Sequence, residues 1–154
     1  MSIADVINYL ENHLDKTDIT LHYGATDRLI NQFETTFGVK LPDDIKQFYK
    51  FANGFESSED LFNIVRLEEI IGHRDCDKPD IYIAEYMIYC DMWGLEINPN
   101  NHNEYTIFNI GADSKKIVLT NSFAEFLQRF LNGGVFDGLY NWREEIKRNR
   151  ISNP

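Results

Sequence analysis

The chain has 154 residues, 43% of them hydrophobic and 14% aromatic, which is enough apolar surface to bury a core without disulfide staples and too much for global disorder. Fifteen Lys and Arg stand against 25 Asp and Glu, a formal net charge of −10, and an acidic surface repels the phosphate backbone of nucleic acid. The longest apolar runs, "FNIVRL" (62–67) and "YMIYCDMW" (86–93), are too short and too often broken to cross a bilayer, and two cysteines, Cys76 and Cys90, are too few for a disulfide framework.

The opening "MSIADVINYL" carries neither a positive n-region nor a small-residue cleavage site, so a cytoplasmic compartment is expected. Three helices come first. Ser2 with Asp5 has the pattern of a capping box, and Ile3, Val6, Ile7, Leu10 and Leu14 follow at helical spacing. After the loop "DKTDITLHYGA", Thr26 is placed to cap a second helix whose Leu29, Ile30, Phe33 and Phe37 share a face, and Gly38 supplies the left-handed residue that ends it. Pro42 suits the first turn of a third helix, where its missing N–H has no partner to lose. Asp43 and Asp44 then sit where the helix dipole favours negative charge; Ile45, Phe48, Tyr49 and Ala52 face inward, and Asn53-Gly54 stops the helix.

From there the chain changes character. "LFNIV" (61–65) reads as a short strand and "RLEEII" (66–71) as one or two helical turns, followed by a polar loop, "GHRDCDKPD" (72–80). "IYIAEYMIYCD" (81–91), "YTIFNIG" (105–111) and "KIVLT" (116–120) have the β-branched and aromatic enrichment of strands, punctuated by Gly94, Asn98-Pro99 and Gly111. The segments between them are too short for helical crossovers, so the sheet is expected to be mostly antiparallel. Ser122 with Glu125 begins another capped helix carrying Phe123, Phe126, Leu127, Phe130 and Leu131. Gly133-Gly134 ends it, and "LYNWREEIKRNR" predicts a last short helix with Leu139, Trp142 and Ile146 inward. Helices, then strands, then helices predict an α+β fold: a single domain over residues 1–154, with a mostly antiparallel sheet flanked by N-terminal and C-terminal helices.

Little in the sequence looks catalytic. His73 and Cys76, with Asp75 and Asp77 alongside, lack the second ligand pair that a zinc site needs, so a polar surface loop is the better account. Cys90 falls in a predicted strand with apolar neighbours, where a free cysteine serves as a small hydrophobe. Glu96, His102 and Glu104 surround "NPNNHN" (98–103), whose polarity is that of a turn. "GADSKK" (111–116) lacks the spacing of a phosphate-binding loop. No catalytic residue, metal or cofactor is therefore expected. Most aromatics belong to the core, but Tyr82, Tyr86, Tyr89 and Trp93 lie close together in sequence and are candidates for exposure on the sheet, where Tyr and Trp serve as interface anchors.

"FETTFGVKLPDDIKQFYKFANGF" (33–55) resembles the N-terminal signature of the SUKH superfamily, the group related to yeast cell-wall-assembly regulators. The matching residues are Phe33, Glu34, Phe37, Gly38, Leu41, Pro42, Phe48, Asn53 and Gly54. The region around "CDMWGLEINP", then "YTIFNIG" and "NSFAEFLQRFL", continue the likeness in order, so that it covers about residues 26–132. Bacterial members of that group are regarded as immunity proteins that neutralise toxin domains, often nucleases or deaminases, by binding them without catalysis. The resemblance thus implies a toxin domain as partner; the acidic balance makes a basic one the expectation and disfavours direct nucleic-acid binding, and the short apolar runs give no membrane partner. Its yeast branch implies the alternative of a regulatory adaptor in a cell-wall or signalling assembly. On the first expectation, Glu56, Glu59, Asp60, Asp91 and Glu96 face the partner's basic surface, and Tyr89 and Trp93 anchor it.

Overall fold

The computed structural model describes residues 1–73, 80–111 and 113–152. Helix α1 (Ile3–His13) begins at the complete capping box, with the Asp5 N–H donating to Ser2 Oγ and the Ser2 N–H donating to Asp5 Oδ2. Helix α2 (Asp27–Phe37) starts at Thr26, whose Oγ1 accepts from the Leu29 N–H, and stops at Gly38, whose φ of 67° is left-handed. Helix α3 (Asp43–Phe51) begins after Pro42. The aspartates at its start do more than satisfy a dipole. Asp43 accepts from Asn103 Nδ2 at 3.1 Å and meets His102 Nε2 at 3.1 Å, while its own N–H donates to Asn103 Oδ1. Asp44 accepts from the Tyr105 hydroxyl, which in turn accepts from the Phe123 N–H.

The strands are β1 (Ile19–Leu21), β2 (Phe55–Ser57), β3 (Phe62–Ile64), β4 (Ile81–Tyr86), β5 (Asp91–Asn98), β6 (Asn101–Ile110) and β7 (Lys116–Thr120). They form one seven-stranded sheet in sequence order, antiparallel throughout. Helix α4 (Leu67–Gly72) connects β3 to β4 and packs against α2. Directly opposed residues of antiparallel strands share a face. Phe55, Phe62 and Trp93 thus meet α3 and the C-terminal α5 (Phe123–Gly133) in an aromatic layer, in which Phe62 stacks on Phe130 at 4.1 Å and meets Trp93 at 5.5 Å. The same sheet is close-packed on its other face at one point: a Cβ on Gly94 would lie 2.1 Å from the ring of Phe108, so only glycine admits that side chain. After α5 the chain forms a π-helix (Gly134–Tyr140) and then α6 (Asn141–Ser152), with Leu139 and Trp142 buried as the sequence predicts.

One expected strand is in fact two. The run 81–91 breaks into β4 and β5 around a turn at 87–90, so Cys90 is exposed and is not a buried strand residue.

Asn53-Gly54 is more than a helix stop. The buried Asn53 Oδ1 accepts from the Leu67 N–H at 2.9 Å, and its Nδ2 donates to Glu68 Oε2 at 2.7 Å, so the end of α3 caps the start of α4, where Arg66 makes no side-chain cap. Gly54 has φ 81°, and a Cβ there would come within 2.2 Å of the Ile64 carbonyl oxygen. Replacing Asn53 with Ala removes the cap and strands a buried N–H, and should cost about 2 kcal/mol in urea unfolding. Asn53→Asp keeps the acceptor for Leu67 but sets a second carboxylate against Glu68 Oε2, so it should not restore the lost stability at neutral pH.

The bonds to Asp43 give a pH dependence. Hydrogen bonds from Asn103 first, then His102, hold its carboxyl below the usual carboxylate range. A depressed folded-state pKa contributes stability above the unfolded value of about 3.9, and that stability is lost as pH falls through the lower folded value. Asp43→Asn should therefore be less stable than the parent at pH 6, with the gap closing as thermal unfolding is repeated towards pH 2.

Candidate partner-binding surface

Sequence-order pairing places the β2–β3, β4–β5 and β6–β7 turns at one end of the sheet. The β4–β5 turn is unusual there. Met87, Ile88 and Tyr89 have φ of 49°, 53° and 61°, three successive non-glycine residues in the left-handed region, one of them β-branched. Such a conformation costs roughly 1–2 kcal/mol per residue and persists only where its surroundings fix it. Three contacts do so. The Met87 N–H donates to the Leu61 carbonyl (3.0 Å), and Leu61 is itself left-handed at φ 53°. The Tyr89 N–H donates to Glu85 Oε2 at 2.8 Å, and Asn63 Nδ2 donates to the other oxygen of the same carboxylate. The Tyr89 hydroxyl donates to Glu69 Oε1 at 2.9 Å while its ring packs on His73, which ties the turn to α4. Burial first, then the bond to Glu69, pushes the Tyr89 phenol well above its ordinary pKa, so it acts as a neutral donor.

The turn so fixed displays apolar side chains to solvent: Ile88 is 92% exposed, Leu61 54% and Met87 43%. With Thr20, Glu56, Ser57, Ser58, Asn63 and Glu85 they line a groove of about 320 Å³. Its floor runs along the cross-strand row Thr20, Glu56, Asn63, Glu85, set by the β1–β4 registers. Across the tip, Phe136 of the π-helix is 59% exposed and sits edge-on to Tyr86 at 5.8 Å.

The residues expected at an interface divide into three groups. Glu56, Glu59, Asp60 and Tyr89 come together around this end. Glu56 and Glu59 are exposed, and Asp60 is half-buried, its Oδ1 accepting from the Val135 N–H at 3.5 Å. Glu96 is exposed but lies further along β5, opposite Thr106, and does not join them. Two residues are committed internally. Trp93 is 1% exposed, wedged among Phe62, Phe126 and Tyr140, so it is a core residue and cannot anchor a partner. Asp91 accepts from Asn109 Nδ2 (3.0 Å) and the Tyr140 hydroxyl (2.7 Å), and Arg143 Nη1 reaches Asn109 Oδ1 at 2.8 Å. Its carboxylate therefore knits the C-terminal helices to the sheet.

Leu61, Met87, Ile88 and Phe136 were not among the expected residues. One signal was available for two of them: a predicted strand over residues 81–91 exceeds the usual strand length, so a turn had to fall inside it.

The contacts of His73 and His102 lie apart in the fold. His102 meets Asp43 at the β5–β6 hairpin, whereas His73 meets Tyr89 and Glu69 at the end of α4; Cys76 lies outside the described residues. Among the described residues no group of three or more His, Cys, Asp and Glu is disposed to hold a metal ion, and no helix is long and apolar enough to cross a membrane.

Because Ile88 contacts solvent almost entirely, its left-handed backbone can be relieved without opening a cavity. Ile88→Asn should raise stability by about 1 kcal/mol in chemical denaturation, since asparagine tolerates this region.

No curated protein matches the chain significantly. The profile of the SMI1 / KNR4 family (SUKH-1) matches residues 24–129, more than half of the chain and the whole stretch from α2 to most of α5. That span contains the Leu41-Pro42 and Asn53-Gly54 corners and the seven-stranded sheet from β2 onward. The chain belongs to the SMI1 / KNR4 family (SUKH-1).

Proposed function

We propose that the protein is an immunity protein that neutralises a basic toxin domain, a nuclease or deaminase, by binding it and occluding its active surface without catalysis. The observation that carries this reading is the strained, solvent-facing β4–β5 turn. The fold holds Ile88 at 92% exposure in a left-handed conformation that contributes nothing to the core. Exposed Glu56 and Glu59 beside it, on a chain of net charge −10, would speed encounter with a cationic surface normally turned towards nucleic acid. Desolvation of the apolar turn would slow release. Membership of the family supports the immunity theme, and its yeast branch supports a second reading, a regulatory adaptor in a constitutive assembly.

The two readings part in one experiment. The protein is immobilised, extract of its source organism is passed over it at low and then moderate salt, and retained proteins are identified and assayed. Stoichiometric retention of a basic domain whose cleavage or deamination of nucleic acid is abolished by adding the free protein supports immunity. In that case Glu56→Lys with Glu59→Lys should weaken the complex about tenfold or more while leaving the unfolding midpoint in place. Retention of a constitutive assembly, with no toxin activity to inhibit, overturns the immunity reading in favour of the adaptor.

A further inference from the structure

We infer that the groove between the β2–β3 and β4–β5 turns receives a basic segment of the partner protein, an apolar side chain of that segment seating against Leu61, Met87 and Ile88 while a neighbouring lysine or arginine reaches Glu85. The inference rests on the proposed partner-binding role and specifies the site and its occupant.

Two independent features of the groove define that occupant. The first is apolar. Leu61, Met87 and Ile88 form its lip and are exposed, and a volume of about 320 Å³ admits a side chain or two, not a whole element of structure. The second is a buried carboxylate. Glu85 is 4% exposed and lines the same groove, and its two named donors are neutral, the Asn63 amide and the Tyr89 N–H. Among the described residues no Lys, Arg or His pairs with it. A carboxylate has about four acceptor positions, so Glu85 can accept further N–H groups entering the groove. Removing a carboxylate from water without a counter-charge is costly, and a cation supplied by the partner would offset that cost in a low-dielectric setting. Glu56, the other acidic residue in the lining, adds negative potential at the mouth, and among the described residues no Lys or Arg lines the groove. An acidic or purely apolar segment would meet repulsion or leave Glu85 unpaired; a basic segment with one apolar residue matches both features.

The test uses three short fluorescent peptides on the full chain at low salt: Lys-Arg-Leu-Arg-Lys, the same peptide with Ser for Leu, and the same peptide with Glu for every Lys and Arg. Binding is read by anisotropy and located by methyl NMR. The first peptide should bind and shift the methyl signals of Leu61, Met87 and Ile88, and each of the other two should bind about tenfold more weakly or worse. Ile88→Ser, which leaves the buried contacts of the turn alone, and Glu85→Gln should each weaken the first peptide by a similar factor. Equal binding of the acidic peptide, shifts confined to residues elsewhere, or full affinity in Ile88→Ser would overturn the assignment. So would concentration-dependent dimerisation abolished by Ile88→Ser, which would give the groove to a second copy of the chain. The peptide result is separable from the toxin reading. Peptide binding here with no toxin inhibited leaves the groove standing and removes immunity; toxin inhibition insensitive to Ile88→Ser and Glu85→Gln does the reverse.

Discussion

One side-chain amide, that of Asn53, organises both the scaffold and what it displays. By accepting the Leu67 N–H and donating to Glu68, it fixes the first turn of α4 against the last turn of α3. The Tyr49 hydroxyl, on a fully buried side chain, donates to the Val65 carbonyl at 2.7 Å and closes the same corner one turn earlier. Once α4 is set, its Glu69 is placed to accept from Tyr89, and Tyr89 is the residue that ends the left-handed turn. The chain of cause therefore runs from a helix-ending Asn-Gly pair, through the hydrogen bonds that Leu67, Glu68 and Glu69 of α4 make, to an exposed tip well downstream in sequence.

A second set of polar ties braces the other end. Asp43 holds the β5–β6 hairpin through Asn103 and His102, and Tyr105 joins α3 to the start of α5 by donating to Asp44 and accepting from Phe123. Its phenol, raised well above the ordinary range by burial and then by Asp44, stays a neutral donor and so keeps both bonds. Polar residues that looked decorative in the sequence, the Pro-Asp-Asp run and the Asn-rich turn, are thus partners of one another. With both ends braced, the aromatic layer between them can be close-packed, and the strain at the tip is small against the core that supports it.

How legible this was from sequence depended on range. Local chemistry was readable: Ser2 and Thr26 as caps, Gly38 as a left-handed stop, Pro42 at a helix start and a sheet with short connections all reflect interactions between near neighbours in the chain. Tertiary choices were not. Trp93 and Asp91 carry the residue types of an interface, yet strand register turns both to the helix-covered face, where Trp93 packs on Phe126, and Tyr140 and Asn109 bond Asp91. Met87, Ile88 and Tyr89 have no intrinsic preference for positive φ, and only Glu85, Leu61 and Glu69 acting from elsewhere impose it. The π-helix after Gly133 was likewise hidden, because the glycine pair announces a stop and carries no signal for the conformation of residues 134–140.

These failures of local reading fall at one place. Where residue preference and observed conformation disagree most, at 87–89, Ile88 is almost fully exposed and Met87 is exposed beside it, and among the described residues no cation pairs with the carboxylate that holds the Tyr89 N–H. A core would remove each of these features by placing glycine or asparagine in the turn, apolar residues inward and a neutral group at position 85. Their coexistence is intelligible if the turn is completed from outside: Glu85 shapes the tip in the free protein and is then available, at the base of the groove, to the group that fills it. On the proposed reading folding and recognition meet in that one carboxylate, and the surface around it would be half of an interface and not an imperfect edge of the domain.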